Sequence, residues 1–432
     1  MKKQKIDLIT LGCSKNLVDS ERIIKMFENI GYSVSHNPQE ISGDIIIINT
    51  CGFIGDAKEE SINTILEYVA AKQNGLFSQL YVMGCLSQRY REELSVEIPE
   101  VDQWYGKFDW EEIVSKISSN TYNHSDYERA VTTPPHYAYV KIAEGCNRFC
   151  AFCAIPLITG RYKSRSIESI VKEVKSLVSQ GVKEFNIIAQ DLSYYGIDLY
   201  GEQKLPQLID QIAQIEGVMW IRLHYAYPTQ FPIEILDVIN KHDNVCKYLD
   251  LALQHSTDNI LANMKRHITH KETINLINHI REKVPGIHLR TTLMVGFPGE
   301  NDSEFNDLLN FTKQMRFERM GAFAYCEEEG TYAANNYVDN IAQETKNHRL
   351  NKLMSLQENI SNEINLSKIG NTYKVIIDSE EDEYYIGRTE FDSPEVDQEV
   401  LINKNFKLEI GSFYNVKITD ALAFDLIAEL VL

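Results

Sequence analysis

Three times in the first hundred residues an apolar strand runs into a cysteine and then into a helix. Residues 6–11 lead to Cys13 and an amphipathic helix over 18–30 that ends at Gly31. Ile45-Ile46-Ile47-Ile48 leads to Cys51 and a helix over 57–73, and Leu80-Tyr81-Val82-Met83 leads to Cys85 and a further helical stretch. Near-continuous β-branched runs alternating with helices predict a parallel sheet buried on both faces. Such sheets bind ligands just outside the carboxyl ends of their strands, and all three cysteines fall at that edge. They stand 38 and 34 residues apart, so only the fold can bring them together. A cysteine after a strand also serves as core filler, but its recurrence in three consecutive units points to a shared site.

The alternation pauses over 115–135, where Ser118-Ser119-Asn120 and Thr132-Thr133-Pro134-Pro135 read as an interdomain linker. It then resumes, with strands expected over 139–143, 184–190, 220–226, 248–254, 288–295 and 320–325 and helices such as 167–180 and 305–315. Six such units predict a full or partial (βα) barrel with its chemistry at the C-terminal ends of the strands. A polar, helix-prone stretch over 343–367 follows. Short alternating stretches over 373–377, 400–402 and 415–418 then predict a small antiparallel β-barrel. The expected division is 1–120, 134–366 and 367–432, all three parts within an α/β chain.

Directly after the first barrel strand comes Cys146-Asn147-Arg148-Phe149-Cys150-Ala151-Phe152-Cys153. The spacing C-x3-C-x2-C lets one short loop hold three irons of a [4Fe–4S] cluster, and no fourth cysteine stands nearby. The alternative, three thiols packed in a turn, fits poorly with a chain expected to lie in the reducing cytoplasm. The loop resembles the signature of radical S-adenosylmethionine (SAM) enzymes, in which the open iron chelates SAM, and Phe152 stands where that family carries an aromatic near the adenine. Gly296, in Gly296-Phe297-Pro298-Gly299-Glu300 after the fifth strand, is expected to let backbone approach the cofactor, and Arg290 to grip a carboxylate. Gln190 and Gln254 close the second and fourth strands, where polar groups face a ligand. By the same logic Cys13, Cys51 and Cys85 are candidates for a second [4Fe–4S] cluster. Cys246 and Cys326 lack partners at ligand spacing and read as structural.

The 432 residues exceed one core, and 44% hydrophobic with 24% charged is ordinary for a globular chain. The N-terminus lacks an apolar stretch long enough for a signal peptide, and no run approaches the roughly 18 residues of a membrane span; the expectation is a cytoplasmic protein without a membrane partner. Net charge is −19, a poor basis for non-specific nucleic-acid binding. From Ile369 onward five basic residues face fourteen acidic ones, a balance of −9.

Taken together, the order of parts resembles the methylthiotransferases: an N-terminal three-cysteine domain, a radical SAM barrel and a C-terminal TRAM domain. The resemblance implies two [4Fe–4S] clusters, SAM as both methyl donor and radical source, and separate electron and sulfur donors. Members modify either a tRNA adenosine or an aspartate of small-subunit ribosomal protein S-twelve. Leu11-Gly12-Cys13-Ser14-Lys15-Asn16 favours the protein-modifying branch, since tRNA-acting relatives tend to carry Gln-Met-Asn after the cysteine. Gly387-Arg388-Thr389 with Asp392-Ser393-Pro394-Glu395-Val396-Asp397 is similar to that branch's TRAM pattern. Glu144-Gly145-Cys146-Asn147-Arg148-Phe149-Cys150 with Ala154-Ile155-Pro156 and Gly160-Arg161-Tyr162-Lys163-Ser164-Arg165 also favours that branch, but Thr159 before Gly160, where relatives often carry arginine, departs from the pattern and leaves the role of the Arg161–Arg165 loop, on RNA, cofactor or solvent, open. An acidic TRAM domain suits a basic protein better than RNA. A tRNA methylthiotransferase and a non-catalytic iron–sulfur carrier are the competing readings.

Overall fold

The computed structural model describes residues 5–118 and 127–431. The N-terminal sheet is wholly parallel, in the order Ser33–His36, Lys5–Thr10, Ile45–Thr50, Gln79–Gly84, Gln103–Trp104. Its strand order reverses between Lys5–Thr10 and Ile45–Thr50, so Cys13 and Cys51 flank the crevice where doubly wound sheets bind ligands. The two outer strands were not expected; Gln103–Trp104 has two residues and Ser33–His36 only four, too short for a pattern to show.

The second sheet holds Tyr137–Lys141, Glu184–Ile188, Trp220–Ala226, Val245–Leu251, His288–Val295 and Arg319–Ala324, parallel and in chain order. Its first and last strands do not pair, so the barrel is partial, with an open flank. Val, Ile and Leu of the strands pack outward against the helices in one large core, and the helix Gln343–Leu366 covers the last strand, its Gln357 amide donating to the Phe317 carbonyl at 2.9 Å.

The open flank is covered by the N-terminal domain. Helix Ser14–Asn29 sets Leu17 and Val18 against Tyr137, Tyr139, Ile188 and Tyr225. Beside this apolar contact Asp19 is buried between Lys107, at 2.5 Å, and Lys141. Burial opposes the Asp19 carboxylate, but the two ammonium groups hold its pKa below the usual range. The stretch read as a linker is in part structural: 110–118 is helix, 119–126 lies outside the described residues, and Arg129 is buried. Arg129 pairs with Glu21 of the first domain and, at 3.0 Å, with Glu173 of the barrel, which Arg165 and Arg22 also approach at 2.6 and 3.8 Å. Arg165 therefore serves this joint.

Thr372–Glu380, Tyr384–Thr389, Glu399–Asn403, Phe413–Ala421 and Asp425–Leu430 form the closed C-terminal barrel, antiparallel except where Glu399–Asn403 meets Asp425–Leu430. It caps the N-terminal ends of the large barrel's strands, away from the cysteine loop. Glu184 lies between Arg222 at 3.1 Å and Arg388 at 2.9 Å, and Arg319 donates to Asp392. Glu395 accepts from Tyr137 and Tyr139 at 2.9 and 3.2 Å, and Asp397 from Tyr248 at 2.8 Å. Phe413 packs edge-on to Trp220, and Phe391 stacks on His288.

Removing one member of a buried ion network strands the others. Glu173→Gln should leave three clustered arginines and cost about 3–5 kcal/mol, read as a lower midpoint in chemical denaturation. Glu168→Gln, exposed on the same helix, should stay within about 0.5 kcal/mol of the parent.

Candidate active site

Cys13 caps the helix Ser14–Asn29, Cys51 follows the strand Ile45–Thr50, and Cys85 opens the helix Cys85–Glu97. Two devices gather them. Gly12 has φ +90°, and a side chain there would meet Cys51 Cβ at 2.7 Å, so only glycine lets the first two loops approach this closely. Asn16 then ties all three strand ends. Its amide donates to the carbonyls of Leu11 and Thr50 at 3.1 and 2.9 Å, and its Oδ1 accepts from the Cys85 thiol at 3.5 Å and the Lys107 ammonium at 3.1 Å.

The three thiols are not equivalent. Desolvation opposes the Cys13 thiolate, yet the Lys15 ammonium and the backbone N–H groups of Asn16 and Lys15 lower its pKa overall. Burial pushes Cys51 up, and Cys85 up to about 12. Each of the three also feels the charge of a neighbouring thiolate or ammonium, as thiols sharing one small site do.

The second trio stands on the ribbon Ala143–Glu144 with Lys163–Ser164, pinned where Cys146 N–H donates to the Gly160 carbonyl at 3.2 Å. The N–H of Arg148 donates to Cys146 Sγ at 3.4 Å. Arg266, buried beneath the loop, donates to Cys150 Sγ at 3.3 Å, and the Tyr227 hydroxyl lies 3.8 Å from the same sulfur. Arg148 is oriented by Asp191 at 2.7 Å and packs over the Tyr227 ring. Burial pushes Cys146 up to about 12 and Cys153 higher still. Such thiols stay protonated at neutral pH unless a cation binds them.

Among the described residues no three His, Cys, Asp or Glu side chains converge on one point as a single ion's ligands do. A [4Fe–4S] cubane differs, since each thiolate binds its own iron and the ligands ring the cluster. Three half-buried thiols on one loop with two guanidiniums beside them fit an anionic cluster. A ligand is also indicated by polar atoms of the barrel that are buried without partners: Gln254 Oε1, Ser256 Oγ, Arg266 Nε and the Tyr325 hydroxyl.

The other residues singled out from sequence divide. Phe152 packs with Met264, Met294, Phe297 and Tyr325 as one wall of this space. Gln254 lies just beyond its strand at φ +73°, locked to the neighbouring strand by Thr292 and Met294. Gln190 lies two residues beyond Ile188, at the same end. Arg290 does not join them. It is the third residue of His288–Val295, low in the barrel, and its guanidinium is taken by Asp397 at 3.3 Å and Asp250 at 3.7 Å. Gly296, at φ +72°, has a structural reason of its own: a side chain there would strike the stem of Lys346 at 2.4 Å. Cys246 is buried among Trp220, Tyr248, Ile376 and Phe413, while Cys326 is exposed beside Gly55. Sequence reasoning missed Asn16, Lys107, Tyr227 and Arg266; only Asn16 stood near enough to a cysteine to be noticed.

In metal-free protein at neutral pH, iodoacetamide should label Cys13 ahead of Cys51 and Cys85, because Cys13 alone of the three is exposed and has a lowered pKa. Peptide mapping over time checks the order; equal rates for the three would refute it.

Family models match three successive parts of the chain: the uncharacterized protein family UPF0004 over 5–106, the radical SAM superfamily over 140–312 and the TRAM domain over 369–431. The chain is 59% identical to the ribosomal protein uS12 methylthiotransferase RimO of Phocaeicola vulgatus, over all of both chains. It is 54% identical to that of Porphyromonas gingivalis, again over all of both, and 48% identical to that of Cytophaga hutchinsonii over 99% of this chain and 98% of the other. Among solved structures it resembles the radical SAM methyltransferase TsrM from Kitasatospora setae, at TM-score 0.57 and 15% identity over 74% of this chain and 73% of that one. It also resembles the cobalamin-dependent radical SAM enzyme OxsB, at 0.51 and 12% over 83% and 56%. The distant structures speak for the fold alone, whereas end-to-end identity of this order makes the chain a member of the RimO-type radical SAM methylthiotransferases.

Proposed function

We propose that the protein inserts a methylthio group at the β-carbon of an aspartate in ribosomal protein uS12, giving 3-methylthioaspartate. The observation that carries this reading is the convergence of two thiol trios on one barrel: Cys146, Cys150 and Cys153 at its strand ends, and Cys13 at the head of the helix covering its open flank. Each trio would hold a [4Fe–4S] cluster. When bound, the barrel's cluster and SAM supply a radical able to take hydrogen from an unactivated carbon, and the second cluster supplies a place for sulfur that a further SAM methylates.

The chain's own residues do the rest. Arg266 and Arg148 offset the negative charge gathered at the loop. Phe152, Phe297 and Tyr325 form an apolar wall that keeps water from the reacting carbon. Gln254 Oε1, buried and unpartnered, offers an acceptor for an ammonium or hydroxyl of the cofactor. Electrons and sulfur come from separate donors in the cytoplasm. Among the described residues no helix is long and apolar enough to cross a membrane.

The acidic surface serves approach rather than placement. Asp378, Glu390, Asp392, Glu395 and Asp397 are occupied at the junction with the large barrel. Glu381, Asp382 and Glu383 face solvent at a hairpin tip, with the exposed Glu380 beside them paired to Lys404 at 2.9 Å. Because this domain lies across the barrel from the cysteine loop, its free acids act on a basic protein through their field.

Mass spectrometry of uS12 from a deletion strain tests the substrate: a methylthio mass shift should disappear, and its persistence, with loss of 2-methylthio nucleosides from tRNA instead, would move the enzyme to RNA. In the complementing strain and with purified protein, Cys146→Ala, Cys150→Ala and Cys153→Ala should abolish 5′-deoxyadenosine formation. Cys13→Ala, Cys51→Ala and Cys85→Ala should keep it and stop sulfur insertion. Equal loss in both sets, with folding intact, would refute divided roles.

Replacing the four hairpin acids by their amides should raise KM for uS12 several-fold at low salt with kcat unchanged. The difference should vanish at high salt; a salt-independent effect would count against steering.

A further inference from the structure

Lys15 is a buried cation with no carboxylate. It is 8% exposed, and its ammonium stands 3.5 Å from the centre of the Tyr225 ring. Among the described residues no acid lies within ion-pair distance of it, while its neighbours are all committed. Lys107 and Lys141 share Asp19, Arg290 has Asp250 and Asp397, and Arg148 has Asp191. The Lys15 ammonium, resting on one aromatic face beside the Cys13 thiol, keeps N–H donors available to a carboxylate.

Its place gives this lone cation a meaning. Lys15 is two residues from Cys13 and projects from the helix that covers the open flank, while Tyr225 is the next-to-last residue of Trp220–Ala226, near the strand ends that carry the cysteine loop. The ammonium thus sits between the two thiol trios, facing the barrel. A substrate carbon that loses hydrogen at one site and gains sulfur from the other has to lie in this same region. In an aspartate the β-carbon is bonded directly to the carboxylate carbon, so the carboxylate arrives there with it. Such a group brought into a low-dielectric space needs a cation.

We propose that the Lys15 ammonium binds the carboxylate of the substrate aspartate, positioning its β-carbon and selecting the acid over the corresponding amide. The inference rests on the methylthiotransferase reading above and adds the residue that recognises the acidic side chain. Tyr225 backs the ammonium, and the other titratable groups that feel its charge are the Cys13 thiol two residues away and, farther off, Asp250 and His224, which interact with it only through space.

The test is a four-way cycle with the anaerobically reconstituted full chain, parent and Lys15→Met, against uS12 and uS12 in which the methylthiolated aspartate is changed to Asn. Dissociation constants and, for the acid, kcat/KM are measured at matched iron content. The parent should prefer Asp over Asn by about ten-fold or more, as a charge-assisted contact does, and Lys15→Met should bring that ratio close to one. Lys15→Arg should restore part of the preference. If Lys15→Met holds less iron than the parent, Lys15→Gln replaces it in the cycle. An active parent whose Asp-to-Asn ratio survives loss of the ammonium overturns the carboxylate site alone. A parent that leaves uS12 unmodified overturns the functional reading, and the site with it.

Discussion

A six-stranded sheet curled into part of a barrel leaves two unpaired strand edges and a polar interior open to water. Everything at the site depends on how that gap is covered. Helix Ser14–Asn29 covers it with two apolar residues and an ion cluster centred on Asp19. The cluster is buried, so it fixes register rather than merely adding affinity: a shifted helix would leave Asp19, Lys107 and Lys141 without partners in a dry place. Because Cys13 and Lys15 belong to this helix, the same register sets where one thiol and one ammonium stand relative to the barrel. Covering the flank and placing the chemistry are one event.

The C-terminal barrel is joined by the opposite device. Its inward acids meet arginines at the foot of the large barrel, as Asp392 meets Arg319, and its own Arg388 meets the large barrel's Glu184 at the centre. Burial alone would discharge Glu184, but the two flanking guanidiniums hold its pKa below the usual range. The strong negative balance of this domain is therefore two populations. One is spent inside the molecule, and the other, concentrated at the Glu380–Glu383 turn, remains for solution.

Much of this was legible in the sequence because it is local. Near-continuous isoleucine in Ile45–Thr50 can hardly be anything but a buried strand, and the C-x3-C-x2-C loop carries its own geometry. Position relative to a strand end was legible too, which is how Cys13, Cys51 and Cys85 were found. What the sequence could not show was direction and company. Arg290 sits in the expected strand but low in the barrel, where two carboxylates from different elements take it. Gly296 is needed because a helix fifty residues later lays Lys346 across it. Arg266 and Tyr227 reach Cys150 from loops with no motif of their own.

Residues 393–397 reach from the C-terminal barrel into the foot of the large one, where Glu395 and Asp397 engage Tyr137, Tyr139, Tyr248 and Arg290. That turns a tube into a cup. With the foot stoppered and the flank covered, reactants and spent products share one rim. A macromolecule seated at that rim would cover the one way in.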